Sequence, residues 1–318
     1  MSTRDLSSNS AIIAAPHGSA HGKVILAGEH ATVYGHAAVA VGLERGVHAR
    51  ASRMDGDHSV LAIGKHIVRD CDDGDLARAF REVIEPLPPF ALPVRIDVES
   101  NVPAGSGLGS SAAIGVAVIR ALDPRAGQAE VLRRAMQWES VFHGNPSGLD
   151  ALIAARGGCV LFERGKRPIG ISVPRAAFLC IGHSGTTAST RMMVDSVAKL
   201  RAASPEGADV TLTAIGAIAR HLARALREGD LHEVGRLMRA NHGLLRDLGV
   251  STPAIDRMCD LARDAGALGA KLTGSGGGGC VVALCDARLA ANAVQLAWKR
   301  DGFEAFSTRL CPPQALAA

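Results

Sequence analysis

The sequence predicts an α+β fold in two lobes. Short strand-like runs dominate from Lys23 to about residue 100, whereas amphipathic helices dominate the stretches that follow. The early strand-like runs do not alternate regularly with helices, so a doubly wound parallel sheet is the less favoured architecture. Two mixed groups of strands and helices are joined around residues 165 to 190. We therefore assign residues 1–185 to an N-terminal lobe and residues 186–318 to a C-terminal lobe.

The elements of the first lobe follow from residue alternation and helical spacing. Apolar and β-branched runs predict strands at residues 23–27, 37–43, 94–98, 159–163 and 178–182. Apolar or alanine-rich runs of helical character predict helices at residues 75–84, 110–122, 128–142 and 146–155. Pro146 is well placed to open the last of these helices, because proline is favoured at the first helical position.

The second lobe begins with helices and ends with strands. Apolar residues at three-and-four spacing predict helices at residues 191–202, 210–227, 231–245 and 253–265. Strands are then expected at residues 270–273 and 280–284, followed by a helix at 287–298 and a last strand at 304–308.

Composition excludes several classes of protein. With 318 residues, of which 47% are apolar, the chain can bury one large core or two ordinary ones. Its apolar runs are shorter than the roughly 20 residues of a membrane span, so we expect no membrane association. Aromatic residues make up only 3% of the chain and no basic tract accompanies the net charge of +4, which argues against nucleic-acid binding. Seven scattered cysteines without a CxxC pair suit the reducing cytoplasm.

A glycine loop between a strand and a helix is the first candidate site. The stretch GSGLGSSAA begins at Gly105, after a strand-like alternation over residues 93–99, and runs into an alanine-rich helix. Glycines let the backbone approach an anion closely, and the free N–H groups of a helix start favour negative charge. Ser110 and Ser111 add hydroxyl groups for a phosphate oxygen or a magnesium ion. The alternative is a glycine-rich turn that is merely capped by serine.

A second glycine cluster, GSGGGG, begins at Gly274 and has the GxGxxG spacing of dinucleotide-binding proteins. That fingerprint requires a helix directly after the glycines, whereas the run from Cys280 is strand-like. We therefore predict a tight bend between two strands, packed against a bound nucleotide or against the other glycine loop. A plain hairpin is the alternative. Neither cluster contains the GxxxxGK[ST] pattern, so the P-loop class is disfavoured.

Three charged residues complete the candidate chemistry. A magnesium-dependent kinase needs one carboxylate on the metal and another near the acceptor hydroxyl, and Glu139 and Asp150 suit these two roles. Lys23 begins a strand, and a lysine beside Asp150 would keep that carboxylate ionised. Taken singly, carboxylates near helix ends are more often solvated, and a lysine at the start of a strand is normally exposed.

Four stretches, in this order, together resemble the GHMP family of small-molecule kinases. They are GKVILAGEHATVYG from Gly22, PAGSGLGSSAA from Pro103, GNPSGLD ending at Asp150, and KLTGSGGGG from Lys271. The resemblance implies an N-terminal lobe like domain 2 of ribosomal protein S5 and a ferredoxin-like C-terminal lobe. ATP and the substrate would bind between the two lobes.

The resemblance also implies a role for each matching residue. Asp150 would be the catalytic aspartate, with Lys23 as its partner at the acceptor hydroxyl, and Ser111 and Glu139 would hold Mg²⁺. The residues expected to bind ATP are Pro103, Gly105, Ser106, Gly107, Leu108, Gly109, Ser110, Ser111, Gly276 and Gly277. The residues expected to bind the acceptor are Lys23, Glu29, His30, Ser147, Asp150 and Thr190.

Within the family, the motifs are most similar to those of the branch that phosphorylates the 5-hydroxyl of mevalonate. Family relatives that use another small alcohol, such as phosphomevalonate or homoserine, remain an alternative, as does a relative that binds ligands without catalysis. An NAD-dependent oxidoreductase is the third reading of the glycine spacing. Two residues depart from the family pattern, namely His21 in place of a proline and Ala188 in place of an arginine of the animal enzymes. A homodimer is common among relatives.

Overall fold

A computed structural model describes residues 16–310 apart from Ala104, Asn145 and the side chain of Phe90. Residues 1–15 and 311–318 of the two predicted lobes therefore lie outside the described residues. The described part contains two separate β-sheets, each covered by helices, which confirms the predicted α+β fold.

The first sheet contains the early strands and is largely antiparallel. Its strands are β1 (His17–Ala27), β2 (Ala38–Arg53), β3 (Val60–Ile63), β4 (His66–Arg69), β5 (Val94–Ser100), β6 (Cys159–Phe162) and β7 (Ile169–Gly170). The strand order is β4-β3-β5-β2-β6-β7, and β1 pairs with β2. Among the strand pairings of this sheet within the described residues, only β3 with β5 is parallel, so the architecture is not doubly wound, as predicted.

Helices α1 (Asp75–Ile84), α2 (Ser110–Leu122), α3 (Gln128–His143) and α4 (Leu149–Arg156) belong to the same lobe. Helix α2 packs directly on β1, where a Cβ at Gly18 would lie 2.2 Å from the carbonyl oxygen of Ala117. The predicted start of α4 at Pro146 is wrong. Gly148 precedes the helix with a left-handed φ of 88°, so the chain turns there and the helix begins at Leu149.

The second sheet contains β8 (Phe178–His183), β9 (Gly269–Thr273), β10 (Cys280–Cys285) and β11 (Glu304–Arg309). Its order is β11-β8-β10-β9, so the two central strands come from sequence-distant segments, as in a ferredoxin-like βαββαβ unit. Helices α5 (Thr190–Ala203), α6 (Pro205–Glu228), α7 (Leu231–Asp247), α8 (Pro253–Asp264) and α9 (Arg288–Arg300) accompany it. The predicted helix at 210–227 is longer than expected, because Pro205 occupies its first turn.

Strand β8 belongs to the second sheet although it precedes residue 186. It pairs with β10 from Cys280↔His183 onwards and with β11 from Glu304↔His183 onwards. We therefore propose that the boundary between the lobes lies between Gly170 and Phe178 and not at residue 185, because a strand belongs to the lobe whose sheet it joins. Local residue pattern carries no information about the partner strand.

Two features of the first sheet were not predicted from the sequence. Strands β1 and β2 form one long antiparallel pair from His17↔Arg50 to Ala27↔Val39, and the hairpin of β3 and β4 had not been assigned. The outer parts of these strands carry histidine, arginine and serine on the exposed face, which weakens the apolar signal. No helix within the described residues is long and apolar enough to cross a bilayer.

Candidate active site

A cleft of about 650 Å³ lies between the two lobes. It is bounded by the end of β1, the glycine loop before α2, the segment joining α3 to α4, the start of α5 and the bend between β9 and β10. The predicted site residues that line it are Lys23, Glu29, His30, Gly105, Gly107, Gly109, Ser110, Ser111, Glu139, Ser147, Asp150 and Thr190. Segments more than 250 residues apart in the sequence therefore meet at one site.

Lys23 and Asp150 form an ion pair in the cleft. The Lys23 Nζ atom lies 3.3 Å from Oδ1 of Asp150, and the lysine is 4% exposed. The lysine backbone is anchored by its N–H, which donates to the carbonyl of Leu108 at 2.9 Å. A Cβ at Gly109 would lie 2.8 Å from Cγ of Lys23, so only glycine leaves room for this side chain. The glycine loop thus anchors the backbone of Lys23 and leaves room for its side chain.

Ser111 and Glu139 form the second pair. The Ser111 hydroxyl donates to Oε1 of Glu139 at 2.6 Å. Burial, and secondly the nearby carboxylate of Asp150, raise the pKa of Glu139 to about 7, while Ser111 and Lys23 act in the opposite direction. The indole N–H of Trp138 donates to the Ser111 carbonyl at 3.1 Å and so holds α3 against the start of α2.

His143 is a cleft residue to which the sequence analysis assigned no role. Its Nε2 atom lies 3.7 Å from Oε2 of Glu139, one helical turn earlier on α3. Burial lowers the pKa of His143 below its usual range, so the ring is mainly neutral at pH 7. The four-residue spacing from Glu139 is the sequence signal that places both side chains on one helix face.

The two glycine loops contact each other. A Cβ at Gly107 would lie 2.9 Å from the carbonyl oxygen of Thr273, and one at Gly274 would lie 2.9 Å from Cα of Gly107. The backbones can approach this closely only because both positions lack side chains. Of the two packing partners predicted for the second cluster, the other glycine loop is the one that the structure shows.

Part of the second glycine loop points away from the cleft. Gly274 and Ser275 line it, whereas Gly276 and Gly277 do not. The N–H of Gly277 donates to the Val250 carbonyl at 2.8 Å, so it is not free to bind a phosphate in this conformation.

Three residues of the first loop shape the loop rather than face the cleft. The Ser106 hydroxyl donates to the Pro103 carbonyl at 2.7 Å, and the Ser106 side chain is buried. Leu108 is 1% exposed and belongs to the core between β1, β2 and the second sheet. Its carbonyl is the acceptor for Lys23 described above.

Glu29 lies at the floor of the cleft in a buried ion pair. Lys271, fully buried on β9, donates to Oε1 of Glu29, to the Leu272 carbonyl and, at 3.4 Å, to the Ile25 carbonyl. The Asn241 amide donates to Oε2 of Glu29 at 3.3 Å. Burial raises the pKa of Glu29 and lowers that of Lys271, and the attraction between the two groups opposes both shifts.

Lys271 and Asn241 were missed as site residues. The available signal was a lysine inside a strand that is otherwise apolar and therefore buried, since buried lysines are rare without a partner. Which carboxylate serves as the partner could not be read from the sequence, because Glu29 lies 242 residues away.

His30 and Thr190 connect the lobes through the second glycine loop. The His30 Nε2 atom bonds to the Ser275 carbonyl at 2.8 Å, and the Ser275 hydroxyl donates to that of Thr190 at 3.5 Å. Burial lowers the pKa of His30, with the bond to Ser275 opposing this shift. The backbone of His30 has a left-handed φ of 60°.

The geometry suits the binding of phosphate and a hard cation. Helix α2 begins after Gly109 without a side-chain cap, so its first N–H groups are directed at the cleft. The oxygen atoms of Ser111, Glu139 and Asp150 are donors of the kind that Mg²⁺ prefers. A phosphate cradle, a cation site and an ion-paired carboxylate together can perform phosphoryl transfer to a hydroxyl group.

Comparison with known proteins agrees with this chemistry. Residues 75–158 match the family model described as the GHMP kinases N-terminal domain, and residues 222–304 match that of the GHMP kinases C-terminal domain. A mevalonate kinase of Aeropyrum pernix is 36% identical over 289 residues, and one of Pyrococcus horikoshii is 36% identical over 300 residues. Each alignment covers 85% of this chain and 88% of the relative.

Solved structures give the same result. The crystal structure of L. major mevalonate kinase in complex with R-mevalonate superimposes with a TM-score of 0.78 and 27% identity, over 95% of this chain and 97% of that one. Taken with the glycine cradle and the ion pair of Lys23 with Asp150, these matches show that the chain is an ATP-dependent small-molecule kinase and belongs to the GHMP kinase family.

Proposed function

We propose that the protein phosphorylates the 5-hydroxyl of mevalonate with ATP, forming 5-phosphomevalonate and ADP. The observation that carries the proposal is the ion pair of Lys23 and Asp150 beside the glycine cradle, with 3.3 Å between the charged atoms. The choice of acceptor is supported by the mevalonate kinases to which the chain is 36% identical.

In this proposal Asp150 accepts the proton of the acceptor hydroxyl. The hydroxyl oxygen forms its bond to the γ-phosphorus as the bond to the ADP oxygen breaks in line with it. The ammonium group of Lys23 keeps Asp150 ionised and attracts the negative charge that develops on the attacking oxygen. Gly105, Gly107 and the start of α2 position the phosphates through backbone N–H groups.

Ser111 and Glu139 would hold the magnesium ion that accompanies the nucleotide. Their oxygen atoms lie 2.6 Å apart at the edge of the phosphate cradle, and Glu139 is buried, so a cation would compensate its negative charge. The bound ion neutralises phosphate charge. The six cysteines of the described residues form no disulfide, which fits a reducing compartment, and we propose the cytoplasm.

The variant Asp150→Asn tests this function. We expect it to retain the fold and ATP binding, measured by circular dichroism and calorimetry, and to lose about 10²- to 10⁴-fold in kcat. Asp264→Asn, on the exposed end of α8, is the matched control and should keep full activity.

A coupled assay of ADP release with mevalonate, phosphomevalonate and homoserine identifies the acceptor. Preferential turnover of mevalonate supports the proposal. Turnover of another alcohol alone, or ATP binding with no turnover at all, contradicts it. Near-wild-type activity of Asp150→Asn would remove Asp150 from the catalytic role.

A further inference from the structure

Three side chains with metal-binding atoms come together outside the cleft, at the open end of the hairpin formed by β3 and β4. They are His58, which precedes β3, and Asp70 and Cys71, which follow β4 directly. A ring nitrogen of His58, a carboxylate oxygen of Asp70 and Sγ of Cys71 all lie within 4.8 Å of one another. These three residues do not line the cleft between the lobes, so the group is separate from the proposed reaction.

The pairing of the two strands brings these side chains together. The register of β3 and β4 continues past both strands, where the N–H of Asp70 donates to the Ser59 carbonyl at 3.0 Å. The next pair in this register is His58 with Cys71, and opposite residues of an antiparallel pair have neighbouring side chains. Because the chain turns at Asp70, the carboxylate of that residue also faces His58.

Hydrogen bonds hold the backbone around this group in place. The N–H of Ser59 donates to Oδ2 of Asp70 at 3.0 Å. Arg81, on α1, donates to the carbonyl groups of Asp70 and Asp72. The chain is thus fixed on both sides of the hairpin end, so a ligand bound there would have to order few further groups.

The spacing of the donor atoms suits a tetrahedral ion. Zinc binds nitrogen and oxygen at about 2.0 to 2.2 Å and sulfur at about 2.3 Å, so two of its ligands lie about 3.3 to 3.6 Å apart. Nδ1 of His58 and Oδ1 of Asp70 are 3.1 Å apart. The thiol of Cys71 needs a shift of about 1 Å to reach this spacing, and rotation of its exposed side chain supplies such a shift.

The kinds of donor atom select the class of metal. A thiolate is a soft ligand, and one sulfur, one imidazole nitrogen and one carboxylate oxygen together suit Zn²⁺, whereas Mg²⁺ and Ca²⁺ prefer oxygen ligands alone. The side chains of His58 and Asp70 are 51% and 22% exposed, so a water molecule can complete the four ligands.

We propose that His58, Asp70 and Cys71 form a zinc-binding site that joins the two ends of the hairpin of β3 and β4. Zinc would bind the thiolate of Cys71 and unprotonated Nδ1 of His58, and the thiol proton passes to solvent. Strand β4 lies at the edge of the first sheet, so the metal would cross-link the chain at that edge and has a structural role.

Titration of the reduced, metal-free full-length protein with Co²⁺ tests the site, because Zn²⁺ has no absorption of its own and thiolate-bound Co²⁺ has a charge-transfer band. We expect one equivalent of Co²⁺ to produce this band and Zn²⁺ to remove it. Cys71→Ser should abolish the band. Cys259→Ser, on α8, is the matched control and should retain it. Absence of the band in the wild-type protein, or its persistence in Cys71→Ser, overturns the inference.

The other two ligands are tested by the affinity for Zn²⁺, measured in competition with a chromophoric chelator. Substitution of groups that only support metal ligands costs about 10- to 100-fold in affinity, so His58→Gln and Asp70→Asn should each cost at least as much. His66→Gln, an exposed histidine of the same hairpin, is the matched control and should bind Zn²⁺ like the wild type. Unchanged affinity in both ligand variants would mean that the thiol alone binds the metal, which contradicts the site.

The same variants separate this site from the reaction. Turnover of ATP should stay at the wild-type value in His58→Gln and Cys71→Ser, because both positions lie outside the cleft. A loss of turnover that follows the loss of zinc would place the metal in catalysis and would overturn the structural assignment.

Discussion

Replacing Glu139 by glutamine should make the ligand-free protein more stable and the enzyme less active. Glu139 is 3% exposed and its carboxyl group lies beside Asp150, so ionisation of this group is unfavourable in the folded protein. Glutamine has almost the same shape and can still accept the hydrogen bond of Ser111. It removes the charge that would hold Mg²⁺, so we expect kcat to fall while the unfolding free energy rises.

The magnitude follows from the pKa of Glu139, which is about 7 in the fold against 4.5 for the free side chain. Between these values the folded chain retains a proton that the unfolded chain has released, so stability falls as the pH rises through this window. At about 1.36 kcal/mol per pH unit, the wild-type protein loses about 2 to 3 kcal/mol between pH 5 and pH 8 through this group.

Urea denaturation of the ligand-free protein at pH 5, 6, 7 and 8 measures the effect. The difference in unfolding free energy between Glu139→Gln and wild type should be about 1 kcal/mol or less at pH 5 and should grow to about 3 kcal/mol at pH 8. Glu130→Gln, on the exposed side of the same helix, should show no such rise around pH 7. A difference for Glu139→Gln that does not vary with pH would refute the reasoning.

Two further substitutions test the floor and the wall of the cleft. Lys271→Met leaves Glu29 buried without its cation and should lower the free energy of unfolding, measured by urea denaturation at pH 8, by about 3 to 5 kcal/mol. The double variant with Glu29→Gln should recover part of that loss. No recovery would contradict the pairing of Lys271 with Glu29. Gly109→Ala places a Cβ 2.8 Å from Cγ of Lys23 and should lower kcat at least about 10-fold, since a 1 Å displacement of a positioned group can cost 10²-fold. Gly64→Ala, in the turn between β3 and β4 and outside the cleft, also has a left-handed φ and meets nothing within 4 Å, so a comparable loss of kcat there would assign the effect to backbone strain alone.

Most of the fold elements could be predicted because their residue patterns are local. Helices such as α3 and α8 have the spacing of amphipathic helices, and β9 and β10 are apolar runs on either side of a glycine bend. The hairpin of β3 and β4 escaped prediction, since each strand has only four residues and His66–Arg69 is mostly exposed. The start of α4 was misplaced because a left-handed glycine overrode the usual preference for proline at a helix start.

The individual motifs of the candidate site could be predicted from the sequence. The glycine loops, Lys23, Glu139 and Asp150 stand in recognisable motifs, and the structure brings the first loop and these charged residues to one cleft. Lys271 was not predictable as a site residue, since its partner Glu29 is distant in sequence and only the packing of β9 on β1 joins them.

The sequence by itself determined the chemical class of this protein, because phosphate binding requires certain residue types at short spacings, and such motifs can be read directly from the sequence. It also determined which segments form helices and strands, since periodicity is a local property. Only the tertiary structure decided that β8 belongs to the second sheet, that the two glycine loops touch, and that Glu139 is buried beside Asp150. These are relations between distant segments, and burial and electrostatic fields arise only when such segments pack together.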